Sequence, residues 1–340
     1  MDQQSFSPDN SRYTVCRRIL SIDGGGILGT FPVAFLAEIE KHLPHPIGKY
    51  FDLIAGTSTG GILAIGLALG IPATDLLSLY VQKGPDIFGN SWWRSIRRIL
   101  FHKYESHVLR DSLSEVMGNR LLGEAQTRLI VPAWSKEAQS VYIFKTAHHE
   151  RFRTDYKELA LDVALATSAA PTYFSHHITT SGVSLIDGGV WANNPIALAV
   201  TEAIGVLKWS PVDLQVLSLG CLQEIYKLPK WTGIGPLALK IRNLFMDGQS
   251  HGAMGMAKIL TGDEHERKVI HRIDHKVPWG KYKMDDSSLI PNLKDLGHFK
   301  GRESFPLLKN IFFIEPAEPF IPVYSFNNSS NPLGVHSEAH

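Results

Sequence analysis

Cysteine is scarce in this chain of 340 residues: Cys16 and Cys221 stand far apart, outside any CxxC pair or Cys/His cluster. That usage argues against a disulfide framework and against a thiolate zinc site, and it fits a reducing compartment. An excess of one charge is missing too, with 34 Lys and Arg against 33 Asp and Glu and a net charge of +1. So balanced a chain exerts no global pull on DNA or RNA, which leaves any anion to a local patch. Long hydrophobic runs are absent as well. The most apolar stretch, Ile62 to Ile71, is interrupted by Gly66 and Gly70, and the polar segment from Met1 to Thr14 lacks the apolar centre of a signal peptide. The expectation is a cytoplasmic protein, neither secreted nor membrane-spanning.

What is present, 44% hydrophobic and 20% charged residues, is the composition of a globular chain rather than a disordered one. Arg17 to Asp23 reads as a strand that stops at Gly24-Gly25-Gly26, after which Phe31, Phe35, Leu36 and Ile39 recur at helical spacing. Tyr50 to Ala55 reads as a second strand, halted at Gly56, and Gly60 to Leu69 as a buried helix. Further strands are expected at Arg128 to Ala133, Val141 to Thr146, Val183 to Ile186, Leu214 to Leu219 and Asn310 to Ile314, with helices at Leu159 to Thr167 and Pro195 to Leu207. This alternation predicts an α/β fold with helices on both faces of a mostly parallel central sheet. One domain is expected over 17–315, its motifs within 18–220 and a helical, basic part over 221–315. A polar segment 1–16 precedes it, and a tail 316–340 rich in proline and asparagine is expected to be irregular.

Gly56-Thr57-Ser58-Thr59-Gly60 fits G-x-S-x-G, the pattern of a serine held on a tight strand-to-helix turn. Glycines flank it because a side chain on either side collides as the backbone reverses. A second match, Gly248-Gln249-Ser250-His251-Gly252, follows Leu237, Ile241, Leu244 and Phe245 at helical spacing, so Ser250 is expected at a helix-to-helix turn. Ser58, between a strand and a helix, is the candidate nucleophile. Gly24, Gly25 and Gly26 can offer backbone N–H donors to an oxyanion. As Gly24-x-Gly26-x-x-Gly29 they also fit a dinucleotide fingerprint, with Asp52 as a distant ribose partner.

Asp187 is the candidate base. It ends an apolar strand in Leu185-Ile186-Asp187-Gly188-Gly189 and precedes a helix with Asn194 as cap and Pro195 at its first position. The plainer reading is that it satisfies turn amides. In an open parallel sheet the strand C-termini gather at one edge, which brings Ser58, Asp187 and the glycine loop together. A conventional Ser, Asp, His order recruits a later histidine instead, of which His298 in Leu296-Gly297-His298-Phe299 is the best loop candidate.

Three motifs in order, Asp23-Gly24-Gly25-Gly26-Ile27-Leu28-Gly29, Gly56-Thr57-Ser58-Thr59-Gly60 and Asp187-Gly188-Gly189, make Arg18 to Gly220 similar to the patatin-like phospholipases. Ala166-Thr167-Ser168-Ala169-Ala170-Pro171, ahead of the Asp187 strand, belongs to the same likeness. The resemblance implies a patatin-like three-layer α/β/α fold and a Ser–Asp dyad without histidine: Ser58 the nucleophile, Asp187 its base, and the Gly24, Gly25 and Gly26 backbone the oxyanion hole. It implies a serine lipid acyl hydrolase that cleaves fatty-acyl esters of membrane phospholipids with no metal and no organic cofactor. Within the family the chain looks most like compact bacterial members of antiphage signalling. These are cytoplasmic enzymes, activated by a cyclic dinucleotide such as 3′,3′-cGAMP, that contact the inner membrane when active; a homo-oligomer is implied by the likeness alone.

Two basic stretches offer sites for charged partners. Trp92, Trp93, Arg94, Arg97 and Arg98 have the composition of an interfacial segment, a substrate lid or a nucleotide contact, or of a solvated basic helix with a buried aromatic face. Tyr226 to Arg242 contains Lys227, Lys230, Trp231 and Lys240 and no acid, whereas Lys258 to Lys276 mixes both signs and is expected to be a salt-bridged surface.

Overall fold

The computed structural model describes residues 16–88, 106–171, 173–225, 234–264, 266–278 and 280–326. In chain order its main elements are β1 (Arg17–Ile22), α1 (Thr30–Glu40), β2 (Leu53–Gly56), α2 (Thr59–Ala68), α3 (Ala73–Phe88) and α4 (Ser106–Met117). Then come β3 (Arg128–Ser135), β4 (Ser140–Lys145), α5 (Ala160–Thr167), β5 (His177–Ile178), β6 (Ser184–Asp187), the short α6 (Gly189–Ala192) and α7 (Ile196–Thr201). β7 (Leu214–Leu219), β8 (Gln223–Ile225), α8 (Ile234–Thr261), β9 (Ile270–Ile273), β10 (Lys276–Pro278) and α9 (Ile290–Phe312) complete it.

The central strands are buried nearly throughout, and their residues turn to alternate faces with the period of two that a pleated strand imposes. Leu20, Ile22, Ile54, Val131 and Leu217 face one core, with Phe31 and Phe35 of α1, Leu63 of α2 and Phe312 of α9. Ile19, Leu53, Ala55, Ile130 and Val216 face the other, with Ile196 and Val200 of α7 and Ala253 and Ala257 of α8. Both faces of the sheet are therefore covered, and the fold is the three-layer α/β/α sandwich that the alternation predicts. Strands run in the order β5-β6-β3-β2-β1-β7-β9, with β4 also beside β3. β1, β2, β3, β7 and β9 are parallel, and the level ends of β1, β2 and β7 (Ile22 beside Gly56 and Leu219) put three loops on one edge.

Asp187 reaches the Ser58 turn by another route than the sequence reading expects, because β6 is antiparallel to β3 and not one of the parallel strands. β4 lines Ile130–Ser135 of β3, while on the opposite flank β2 pairs with Arg128–Ile130 and β6 with Ala133–Ser135. β2 and β6 thus meet end to end along one side of β3. The residues after Gly56 and the end of β6 at Asp187 face one another across the two-residue gap at Val131 and Pro132.

One further expectation is corrected. Asn310 to Ile314 is no strand: residues up to Phe312 belong to α9, and Leu293, Gly297, Gly301, Leu308 and Phe312 are buried at helical intervals while Ile314 stands 73% exposed. A β-branched and aromatic run there has simply fallen on the buried stripe of a helix. The helix expected over Pro195 to Leu207 is present: α7 passes without a break into a π turn over Glu202–Val206. From Phe313 to Ser325 there is neither helix nor strand; the segment is tied down by Ala317 N–H to the Lys49 carbonyl (2.8 Å) and by the Arg17–Glu318 pair (2.9 Å). Among the described residues no helix is long and apolar enough to cross a membrane.

Phe312 joins α9 to the sheet, fully buried and with Phe51 and Phe313 each 6.0 Å away between ring centroids. Phe312→Ala is expected to cost about 3–5 kcal/mol in urea unfolding, against less than about 0.5 kcal/mol for Leu307→Ala on the exposed side of the same helix. Equal losses would contradict this packing.

Candidate active site

The edge where β1, β2 and β6 end is built around one serine. Ser58 holds φ 55° and ψ −124°, a backbone state that a residue with a side chain keeps only where its surroundings impose it. Thr57 N–H donates to the Ile22 carbonyl (3.2 Å) and its hydroxyl to the Ala192 carbonyl (2.7 Å), while Ser58 N–H donates to Thr167 Oγ1 (3.0 Å). The flanking glycines are required sterically. A side chain at Gly60 would press on the carbonyls of Ile22 and Asp23, and one at Gly56 on the Gly60 backbone.

Opposite, Ser58 Oγ donates directly to Asp187 Oδ2 at 2.6 Å, and Gly189 N–H donates to Asp187 Oδ1 at 2.6 Å. Asp187 is 4% exposed. Burial pushes its carboxyl up to about 6 from 3.8, against the opposing pull of the Ser58 and Gly189 hydrogen bonds. A carboxylate so placed is a stronger base than an exposed one, and it lies where it can take the serine proton.

The glycine loop lies across from the pair. Gly26 has φ 60°, which favours glycine, and a side chain on it would meet the Met284 carbonyl, the acceptor of Ile27 N–H at 2.9 Å. The three N–H groups are not equivalent, however. Gly24 N–H is spent on the Asn193 carbonyl (3.0 Å) and Gly25 N–H on Thr59 Oγ1 (3.1 Å), whereas Gly26 N–H has no acceptor among the described residues. Gly24 also stands outside the cavity that Gly25 and Gly26 line, which corrects the reading of all three as equal oxyanion donors. Behind the loop Arg272 grips Asp23 with two bonds, 3.0 and 2.6 Å, and Asp274 at 2.7 Å. Burial works against the Arg272 charge, and the two carboxylates outweigh it.

Ser58, Asp187, Gly25 and Gly26 line one cavity of about 470 Å³, a size suited to a small-molecule or single-chain ligand. Its inner wall is Ile62, Leu79, Ile87, Leu109, Leu113 and Phe174, all buried, while Val190 (51% exposed) and Phe245 (68%) stand at its mouth. Among the described residues no Lys, Arg or His lines it.

The other sequence candidates go elsewhere. His298 sits inside α9, not in a loop, with Nδ1 2.9 Å from Glu38 Oε2 on α1, so no triad forms through it. Ser250 lies within the unbroken α8, where its Oγ accepts from Asn194 Nδ2 (3.1 Å), so the helix-to-helix turn is also corrected. Asp52 is buried against Arg17 (3.0 Å) and Arg18 N–H (2.8 Å), a structural pairing and not a ribose contact. Trp92, Trp93, Arg94, Arg97, Arg98, Lys227, Lys230 and Trp231 lie outside the described residues. The sequence reading passed over Thr59, Thr167, Asn193, Arg272 and Met284. Their spacing carried no pattern; only Thr59, Thr167 and Asn193, standing inside quoted motifs, gave a signal.

A three-layer α/β/α sandwich with a strand-to-helix serine beneath an apolar cavity is the framework of an ester hydrolase. Residues 20–200 match the family model described as patatin-like phospholipase. A relative from Escherichia coli named cGAMP-activated phospholipase is 33% identical over 338 residues, covering 89% of this chain and 94% of the relative. Relatives of the same name occur in Vibrio cholerae, 30% identical with 89% and 96% covered, and in Pseudomonas aeruginosa, 41% identical with 52% and 54% covered. The chain belongs to the patatin-like phospholipase family and is a hydrolase of lipid esters.

Because the Asp187 carboxyl sits at about 6 in the fold and near 3.8 in the free chain, its protonated form favours folding. That contribution is complete below about pH 4 and lost as pH rises through about 6, a difference on the order of 3 kcal/mol. Asp187→Asn is therefore expected to unfold at higher urea than wild type near about pH 8, with the gap closing toward about pH 4. A gap that does not change with pH would refute the assigned cause.

Proposed function

We propose that the protein cleaves fatty-acyl esters of membrane phospholipids through a Ser58–Asp187 dyad. The observation that carries this is the direct 2.6 Å hydrogen bond from Ser58 Oγ to a buried carboxylate at the foot of an apolar cavity, with no histidine between them. In the first step Asp187 accepts the Ser58 proton as Oγ attacks the ester carbonyl. Gly26 N–H holds the oxyanion, the proton passes to the departing lysolipid, and an acyl-serine is left. Water, deprotonated by Asp187, then attacks the acyl-serine, and the Asp187 proton passes to the leaving Ser58 Oγ as the fatty acid is released. The acyl chain fits the wall formed by Ile62, Leu109 and Leu113. The hydrolase unit is taken as residues 17–315.

The second part of the reading is regulation. Relatives that share most of this chain's length bear the name cGAMP-activated phospholipase, which supports activation by a cyclic dinucleotide such as 3′,3′-cGAMP; a role in antiphage signalling belongs to the same proposal. The working place is then the cytoplasm, with contact to the inner membrane when active, and homo-oligomer formation is part of the same reading.

The test is fatty-acid release from phospholipid vesicles with and without a panel of cyclic dinucleotides. Wild type is expected to release fatty acid only with one of them, and Ser58→Ala to lose on the order of 10⁴-fold or more in rate. His298→Ala is expected to keep near-full activity. The rate of wild type should fall about tenfold per pH unit below about 6, where Asp187 is protonated. Release without nucleotide would remove the regulatory part alone; full activity in Ser58→Ala would remove the dyad.

A further inference from the structure

The end of α5 touches both halves of the Ser58–Asp187 pair without lining the cavity through Thr167. Thr167 is fully buried at the last position of that helix, and its hydroxyl is used twice. It accepts Ser58 N–H at 3.0 Å and donates to the Pro132 carbonyl at 2.7 Å. Pro132 is one of the two β3 residues that pair with neither β2 nor β6, so its carbonyl faces the gap between their ends. Two residues on, the Ala169 carbonyl accepts Asp187 N–H at 3.0 Å. One short stretch of chain therefore holds the serine through the Thr167 hydroxyl and the aspartate through the Ala169 carbonyl.

We infer that Thr167 is a positioning residue that sets the Ser58–Asp187 distance by bridging the gap between β2 and β6. Strand pairing alone leaves this distance free, because β2 and β6 share only their neighbour β3 and make no bond to each other across the gap. The positive-φ state of Ser58 needs an acceptor for its N–H where no strand supplies one, and the Thr167 hydroxyl is that acceptor. Since this N–H is spent, it takes no part in binding the oxyanion. The Thr167 methyl packs against α2, where a side chain at Gly61 would crowd it. Hydroxyl and methyl thus act separately, one on geometry and one on packing.

This inference rests on the dyad reading above, and Ser58→Ala is measured beside it so that the two fail differently. Thr167→Val keeps the shape and removes the bridge; kcat on a soluble acyl ester is expected to drop about ten- to a hundredfold, the usual effect of stranding a buried donor. KM should stay within about twofold, as expected for loss of an interaction outside the substrate site. The lower limb of the pH–rate profile should move upward, because the Ser58 hydrogen bond that holds the Asp187 carboxyl down is weakened. Thr167→Ser, which restores the hydroxyl, is expected to recover activity to within about threefold. Should Thr167→Val not fold, Thr167→Ala against Thr167→Ser gives the same comparison. Wild-type kcat and pH limb in a hydroxyl-free variant, or equal impairment of Thr167→Ser and the hydroxyl-free variant, would overturn the inference; activity surviving Ser58→Ala would overturn the dyad instead.

Discussion

One hydrogen bond organises this site: Ser58 Oγ to Asp187 Oδ2, 2.6 Å long, closing a gap that the sheet leaves open. The gap exists because β2 and β6 approach β3 from opposite directions along one flank and stop two residues short of one another. Asp187 ends β6, and Ser58 stands two residues beyond the end of β2. Asp187 is buried, so its remaining oxygen takes Gly189 N–H, and among the described residues no other donor competes for Oδ2. The bond is direct, with no histidine between the two side chains. Burial does for the carboxylate what an imidazole does elsewhere, raising its proton affinity toward the working range.

The glycine loop depends on parts of the chain remote from it in sequence. Arg272 on β9 fixes Asp23, the residue before Gly24, and Met284 takes Ile27 N–H. Cys221, after β7, donates its thiol to the Asp23 carbonyl (3.2 Å). Gln249 of α8 bonds the backbone of Asn194, next to the Asn193 that holds Gly24. Residues beyond 220 are therefore no appendage to the motif-bearing core. They grip the loop, and a ligand that moved β9 or α8 would move the loop with it.

Most of the sandwich was legible because its strands and helices are apolar and regularly spaced. β1, β2, β3, β4, β6 and β7 fall where the apolar runs and glycine stops put them, and α2 is buried along its whole length, as Gly60 to Leu69 suggested. Ser58 and Asp187 were legible for a different reason: tight turns demand particular residues at fixed positions. What stayed hidden is what pairing decides. Asp187 arrives on an antiparallel strand, a fact no local pattern encodes. β9 escaped notice because His271 and Arg272 make it read as a charged surface, although Arg272 spends its charge on Asp23 and Asp274. Asn310 to Phe312 read as a strand because a short apolar run has the same composition on either kind of element. The division of labour among Gly24, Gly25 and Gly26 depends on Asn193 and Thr59, which only the folded chain brings near.

The central claim is that Asp187 takes the proton from Ser58 with no third residue. It is tested most directly by the rate at which a fluorophosphonate ester labels the protein, followed by intact mass and peptide mapping across pH with 3′,3′-cGAMP present. The account predicts one adduct, on Ser58, forming at a rate that falls below about pH 6 and is lost in Asp187→Asn. Labelling of Ser58 that persists at full rate in Asp187→Asn, or that disappears in His298→Ala, would contradict it.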